Sequence, residues 1–314
     1  MWRRWSRSRD AGLAVVVAAS LWSSRASAQA CCAGSGALTP GRLTLHDDAL
    51  VGVSLRVSKV YGTVDPYGHY ASSPRGASEY DFGQDLFGSM RFLGHGQAAF
   101  LVPFVESRRT PPDTSLSKGS EFGGGIGDVN LNVRWDFLLA GQSKQVPGIG
   151  ILAGITLPTG TSPESAKKSL ASDATGVGAY QGNLGLAFEQ TFGPWLVNLT
   201  GIAAKRAARN VSDDLHMKLA AQFTMLGAIG YAFENEATAA IAISYAMEGN
   251  ATVNGKEVPD SGRRLLRLSA AGSYPFTDNL RLQGSIFVDP SFFRIDQNQF
   301  PTIGIVLTMI HAWF

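Results

Sequence analysis

Acid–base or metal chemistry in this 314-residue chain would have to rest on five histidines, His46, His69, His95, His216 and His311. Their richest neighbourhood is "SDDLH", where Asp213 and Asp214 stand beside His216 and offer the parts of a rim-sited hydrolase. A nucleophile also needs an imidazole within hydrogen-bond reach and a third group to orient it. No Ser-centred run supplies that pattern. "LHDDA" around His46 reads as a solvated lead-in to a strand. Metal binding needs three or four converging ligands, and the histidines are dispersed. The glycine runs "GGGIGD" and "GVGAYQG" lack the strand-to-helix setting of a phosphate loop. Glycine there relieves crowding, bends strands or lets a solute approach the backbone. The expectation is no enzyme, no cofactor and no metal.

The elements that would position such groups begin with a leader. "MWRRWSRSRDAGLAVVVAASLWSSRASAQA" has a basic start, an apolar stretch from Ala11 to Trp22 and small residues at the end. That is a secretory signal, residues 1–28, cleaved after Ala28 or Ala30. The apolar stretch is shorter than the roughly twenty residues of a membrane helix. Removing five arginines and one aspartate with the leader turns the formal charge of +2 into about −2. No positive field is left for nucleic acid. Cys31 and Cys32, the two cysteines of the chain, are adjacent. A vicinal disulfide is strained, a metal site would need more ligands, and Ala28 fits a lipid-anchor signal poorly. The exported fold is therefore not stapled by disulfides. Residues 29–46 form an N-terminal periplasmic or plug segment, and 47–314 the main domain.

Alternation dominates that domain. In "DVNLNVRWDFLL", Val129, Leu131, Val133, Trp135 and Phe137 share one face, and Asn130, Asn132, Arg134 and Asp136 the other. "YQGNLGLAFEQTF" and "LHMKLAAQFTMLGAIGYAF" repeat the split. Twelve such segments fall near residues 49–61, 80–93, 97–107, 125–140, 149–158, 178–192, 195–206, 215–233, 237–248, 263–276, 280–288 and 301–314. Connections alternate between short turns such as "GP" and "ENE" and long polar loops such as "TGTSPESAKKSLASDATG". Length, even number and loop asymmetry predict an all-β, up-and-down antiparallel transmembrane barrel of the Gram-negative outer-membrane type.

Parity then assigns residues. The lumen is expected to receive Asp81, Asp85, Arg91, Asp128, Asn130, Asn132, Arg134, Asp136, Gln181, Asn183, Glu189, Lys218, Gln222, Arg267 and Arg281. They are either a paired network filling a narrow lumen or a polar constriction on a transport path. Phe137, Phe192, Trp195, Tyr231, Phe233, Tyr274, Phe276, Trp313 and Phe314 lie beside the short turns and form an inner-side aromatic girdle. Arg108, Arg109, Lys205, Arg206, Arg209, Arg263 and Arg264, at the loop edges, are candidates to clasp the phosphates of lipopolysaccharide. Outer-membrane lipid is thus one expected partner.

Strands 4 to 7 carry a resemblance. Gly125, Gly127 and Asp128, then Leu157 to Gly160, then Gly176 and Gly178, and finally Phe192, Gly193 and Trp195 form a succession of G-x-G-D, L-P-T-G, a glycine-rich strand entry and F-G-x-W. This resembles the outer-membrane family named for the MetA pathway of phenol degradation, whose members are regarded as transporters. An Asp common in that family after the second G-x-G is replaced here by Ala179 and Tyr180. The resemblance implies a barrel associated with passage of hydrophobic or aromatic compounds. The final strand, ending in Phe314, resembles the C-terminal signature read by the barrel-assembly machinery. The functional expectation is a passive channel for small solutes. A non-conducting structural or surface-contact barrel is the alternative, and the rim hydrolase stands third.

Overall fold

The computed structural model describes residues 41–44, 46–114, 119–143, 145–212, 214–292 and 295–314. The expected leader with its cleavage site, Cys31, Cys32 and Asp213 lie outside the described residues. Twelve barrel strands follow one another: β1 (Ala49–Val60), β2 (Ser78–Phe92), β3 (Gly96–Thr110), β4 in two segments (Glu121–Ile126 and Val129–Leu138), β5 (Gly148–Leu157), β6 (Gln181–Phe192), β7 (Trp195–Arg206), β8 (Gln222–Ala232), β9 (Thr238–Glu248), β10 (Arg263–Pro275), β11 (Leu280–Val288) and β12 (Thr302–Trp313). Each pairs antiparallel with its sequence neighbours. β1 closes the ring against β12, from Ala49↔Trp313 to Val60↔Thr302. Closure leaves no unpaired edge, the condition for a sheet in hydrocarbon, where each unsatisfied backbone group costs several kcal/mol.

Registry fixes the two faces. Along β1, Val51, Val53, Leu55 and Val57 are exposed, and Leu50, Gly52, Ser54 and Ser58 are buried. Cross-strand partners share a face, so the exposed apolar set propagates around the ring through Leu307, Ile286, Ile243, Leu199, Leu186, Ile151 and Leu131. Large apolar side chains on the outside of a closed ring require a lipid surround.

The β4 interruption has a local cause. Pro103 in β3 brings no amide hydrogen to the ladder. Opposite it the chain steps out at Gly127–Asp128, whose Gly127 amide donates to the Pro103 carbonyl at 2.7 Å. Two further departures from the sequence expectation concern bounds. The predicted strand 215–233 is cut after Lys218, and Leu215–Lys218 joins Arg209–Ser212, Thr252–Val253 and Lys256–Glu257 in a small sheet on the long-loop side. β6 begins at Gln181 rather than 178, because Gly178 turns the chain at φ +71°.

Aromatic rings gather at the short-turn end. Trp195, Tyr231 and Phe233 meet edge-to-face, with ring centroids 4.9 and 5.0 Å apart. Phe137, Phe192, Tyr274, Phe276, Trp313 and Phe314 are exposed at the same level. Gly193, at φ +58°, allows the tight Phe192–Trp195 turn that sets two of these rings side by side.

Candidate lumenal site

The lumen has a floor. Gly41 to Thr44 and His46 to Asp48 run across the short-turn end before entering β1. Gln97 Nε2 donates to the Gly41 carbonyl at 2.7 Å, and the Leu43 amide donates to Gln97 Oε1 at 3.3 Å. Leu43 is buried with Leu50, Phe87 and Ala312. Arg91 donates to the Thr44 and Asp47 carbonyls. Asp47 forms a two-pronged pair with Arg281, Nη1 to Oδ2 at 2.9 Å and Nη2 to Oδ1 at 2.5 Å. Burial pushes the Asp47 carboxyl up, but the bonds from Arg281 and Thr44 outweigh it and hold it below the ordinary aspartate range.

Above the floor stands a buried charge cluster. Glu189 is 2% exposed and receives Arg42, Arg134 at 3.2 Å and Asn198 Nδ2 at 2.8 Å. Arg134 also pairs with Asp136 at 2.6 Å. Three acidic or basic groups withdrawn from water are tolerable only with such partners. The network reading of the sequence holds at this level of the lumen.

Higher up, the two sides of the lumen differ. From β3 to β8 the inner face carries amides and hydroxyls around a cavity of about 390 Å³, including Asn130, Asn132, Gln181, Asn183, Gln222 and Thr224. Thr156 donates to Asn130 at 2.6 Å, and Arg206 gathers Gln181, Gln222 and Glu248 at 2.9, 3.1 and 2.6 Å. From β7 round to β12 the inward positions are small or apolar at mid-height, between Arg206, Glu248 and Arg267 toward the long loops and Arg281 at the short-turn end. Asn198, Ala228, Ala242, Ser269, Phe287 and Gly304 follow one another in register as a single inward row, mostly small or apolar. Asn198 belongs to both sides, lining the amide cavity and pairing in register with Ala228. Toward the long loops, Arg267 pairs with Asp289 at 2.7 Å and lies over the Phe287 ring, and Ser107 donates to Asp81 at 2.6 Å. Asp85 and Arg56 face the lumen on the neighbouring strands.

Registry therefore brings Asp81, Asp85, Arg91, Asn130, Asn132, Arg134, Asp136, Gln181, Asn183, Glu189, Gln222, Arg267 and Arg281 to the inner face. Two expected members are elsewhere. Lys218 belongs to the small loop-side sheet, since the chain leaves strand geometry at 219–221. Asp128 leaves the ladder at the β4 break, and its carboxylate takes the Gly160 amide at 3.0 Å and the Val177 amide at 2.7 Å. Gly176 must lack a side chain there, because a Cβ would sit 2.3 Å from Asp128 Oδ1.

The rim cations are corrected likewise. Arg109 and Arg206 turn inward, Arg109 to Glu79 at 2.9 Å and to the Leu170 and Ala171 carbonyls. Arg209 is taken by Glu164, and Arg263 shares the lumenal row of Glu248. Arg108, Lys205 and Arg264 keep outward positions. At the proposed hydrolase cluster, the His216 ring meets the Asn210 side chain at 2.8 Å and Asp214 gives its carbonyl to Asn254, the contacts of a packed turn. No group of three or more potential metal ligands occurs among the described residues.

Parity overlooked Arg42, Asp47, Gln97 and Asn198. Asn198 and Thr200 alternate with Val197 and Leu199 and were within reach of the same reasoning. Arg42 and Asp47 carry no local signal.

Comparison with known proteins gives concordant results. The chain is similar to the COG4313 outer membrane channel from Pseudomonas putida F1, at 16% identity over 85% of this chain and 96% of that one, with a TM-score of 0.69. It also matches the transport unit of the autotransporter AIDA-I from Escherichia coli (10% identity, 90% and 96% covered, TM-score 0.46) and the NanC porin (8%, 83% and 100%, TM-score 0.48). No curated protein sequence matches it. The family model described as the MetA-pathway of phenol degradation matches residues 73–291. With β2 to β11, the β4 break and the glycine-rich rim inside that span, the chain belongs to this outer-membrane barrel family.

Proposed function

We propose that the barrel is a passive channel of the Gram-negative outer membrane, long loops outward, for small solutes that join a hydrogen-bonding face to a hydrophobic or aromatic body. The observation that carries this reading is the division of the lumen at mid-height, amides on β3–β8 and the row Ala228, Ala242, Ser269, Phe287 and Gly304 on β8–β12, with Asn198 at the seam. A solute presenting one face to each side keeps its polar groups bonded while its apolar surface leaves water. The P. putida relative is itself named an outer membrane channel.

The floor favours a second reading, a barrel that does not conduct. Planar-bilayer recording separates the two. Discrete current steps that a short-chain aromatic alcohol blocks, and that it no longer blocks in Ala242→Phe, support the channel. Silence at high protein load, in the wild type and in Arg281→Ala alike, supports the sealed barrel.

A further inference from the structure

We propose that the outer wall of β1–β3 holds one phosphorylated, amide-acylated glycolipid of the lipopolysaccharide type, clasped by Lys59 and Arg108 across Tyr80 with Gln84 beneath. This rests on the outer-membrane placement proposed above, long loops outward.

A single cross-strand row carries the headgroup contacts. Lys59 pairs in register with Tyr80, Tyr80 with Arg108, and Arg108 with Phe122. Cations and rings thus alternate across four neighbouring strands on the outward face. Lys59 Nζ lies 5.6 Å from the Tyr80 ring centroid, and both cations are exposed. The strand spacing places their Cα atoms roughly 10 Å apart, within reach of one phosphate for two long side chains. Other rim arginines are neutralised by carboxylates, Arg109 by Glu79, Arg206 by Glu248 and Arg209 by Glu164. Among the described residues Lys59 and Arg108 form no ion pair. No described residue supplies them an anion, and guanidinium and ammonium groups at a membrane boundary meet lipid phosphate.

Gln84 is a second, independent observation. Its side chain points outward, exposed, between Phe82 and Leu86 along the strand and between Leu55 and Phe104 across it. An amide surrounded by apolar side chains and hydrocarbon is costly unless bonded, and no described residue bonds it. It lies four residues below Tyr80, about 13 Å along the tilted strand between Cα atoms, so that Gln84 reaching up and the Lys59 and Arg108 side chains reaching down can meet the amide-linked acyl groups and the phosphate beside them. An amide there both donates and accepts. Glu106, between these levels on the same face, opposes the phosphate and keeps the affinity moderate.

The test is native mass spectrometry of the delipidated full-length barrel in detergent, titrated with bisphosphorylated lipid A, its dephosphorylated form, or inorganic phosphate. We expect retention of one bisphosphorylated lipid A, weakened about tenfold or more in Lys59→Ala/Arg108→Ala, weakened less in Gln84→Ala, strengthened in Glu106→Gln and unchanged in Lys256→Ala. Heat-modifiable migration certifies that each variant is folded. Equal binding by the double variant, or by dephosphorylated lipid A, overturns the proposal. Displacement by millimolar inorganic phosphate also overturns it, in favour of a free-phosphate site. A barrel that fractionates with the outer membrane yet binds no lipid A defeats this inference alone, whereas one absent from that fraction defeats the placement beneath it.

Discussion

Asp47 and Arg281 stand 234 positions apart and meet by two parallel hydrogen bonds at the short-turn end of the lumen, with the Asp47 side chain wholly enclosed. Asp47 stands one residue before the end of the floor, and Arg281 is the second residue of β11. Arg281→Ala leaves a buried carboxylate without its counter-charge, which costs about 3–5 kcal/mol. The cheapest escape is for the floor residues Gly41 to Thr44 and His46 to Asp48 to leave the lumen. Single-channel recording should then show larger or more frequent current steps than the wild type. Unchanged currents would show that the floor is not the obstruction.

The same pair predicts a pH dependence. Bonds from Arg281 and Thr44 hold the Asp47 carboxyl below its ordinary value of 3.8 despite burial. A depressed carboxyl stabilises the folded arrangement fully above its unfolded pKa and loses that contribution as pH falls through the folded pKa. The floor should therefore stay seated at neutral pH and loosen only below about pH 4. Conductance should rise over that acid range in the wild type, and Asp47→Asn should flatten the rise.

Much of this molecule was legible in its sequence because a barrel wall writes its two environments in alternate letters. "DVNLNVRW" shows both faces without any tertiary information, and the twelve segments follow from the same period. The reading failed where alternation carries no information. Across Leu219, Ala220 and Ala221 two small residues suit either face, so the exit of 215–218 from the wall left no mark. Arg206 was assigned to the rim by its nearness to a loop, although its even number puts it in line with Asn198 and Thr200, facing inward. The floor was illegible for another reason. Arg42 finds Glu189, and Asp47 finds Arg281, only when distant strands have closed into a ring.

Asp128 at the β4 break should act on the rim rather than the lumen. Its two carboxylate oxygens bond the Gly160 and Val177 amides and so join both ends of the β5–β6 loop to the β4 break. In Asp128→Ala both amides lose a charged acceptor, a loss of about 1–3 kcal/mol each where they stay dry. Amide exchange at Gly160 and Val177, and proteolysis between residues 160 and 177, should accelerate while strand amides stay protected. If exchange there matches the wild type, the loop is held by other contacts.

The two-sided lumen yields the last prediction. Ala242 faces inward on β9 beside Ala228 and Ser269, where the wall is lowest. Ala242→Phe puts a ring into the lumen from a row of small residues without replacing any of the amide bank, and the small neighbours Ala228 and Ser269 limit the overpacking strain. Asn132→Leu removes an inward amide from the opposite side and leaves the apolar wall intact. If solutes use both faces, the first variant should slow liposome swelling by aromatic alcohols more than by small sugars. The second should weaken current block by hydrogen-bonding solutes and spare purely apolar ones. A single path along the amide bank would instead make Ala242→Phe silent for every solute, because nothing would travel against β9. Equal slowing of all solutes by both variants would mean that the lumen acts only as a sieve of fixed width, and its chemical division would then be a matter of packing.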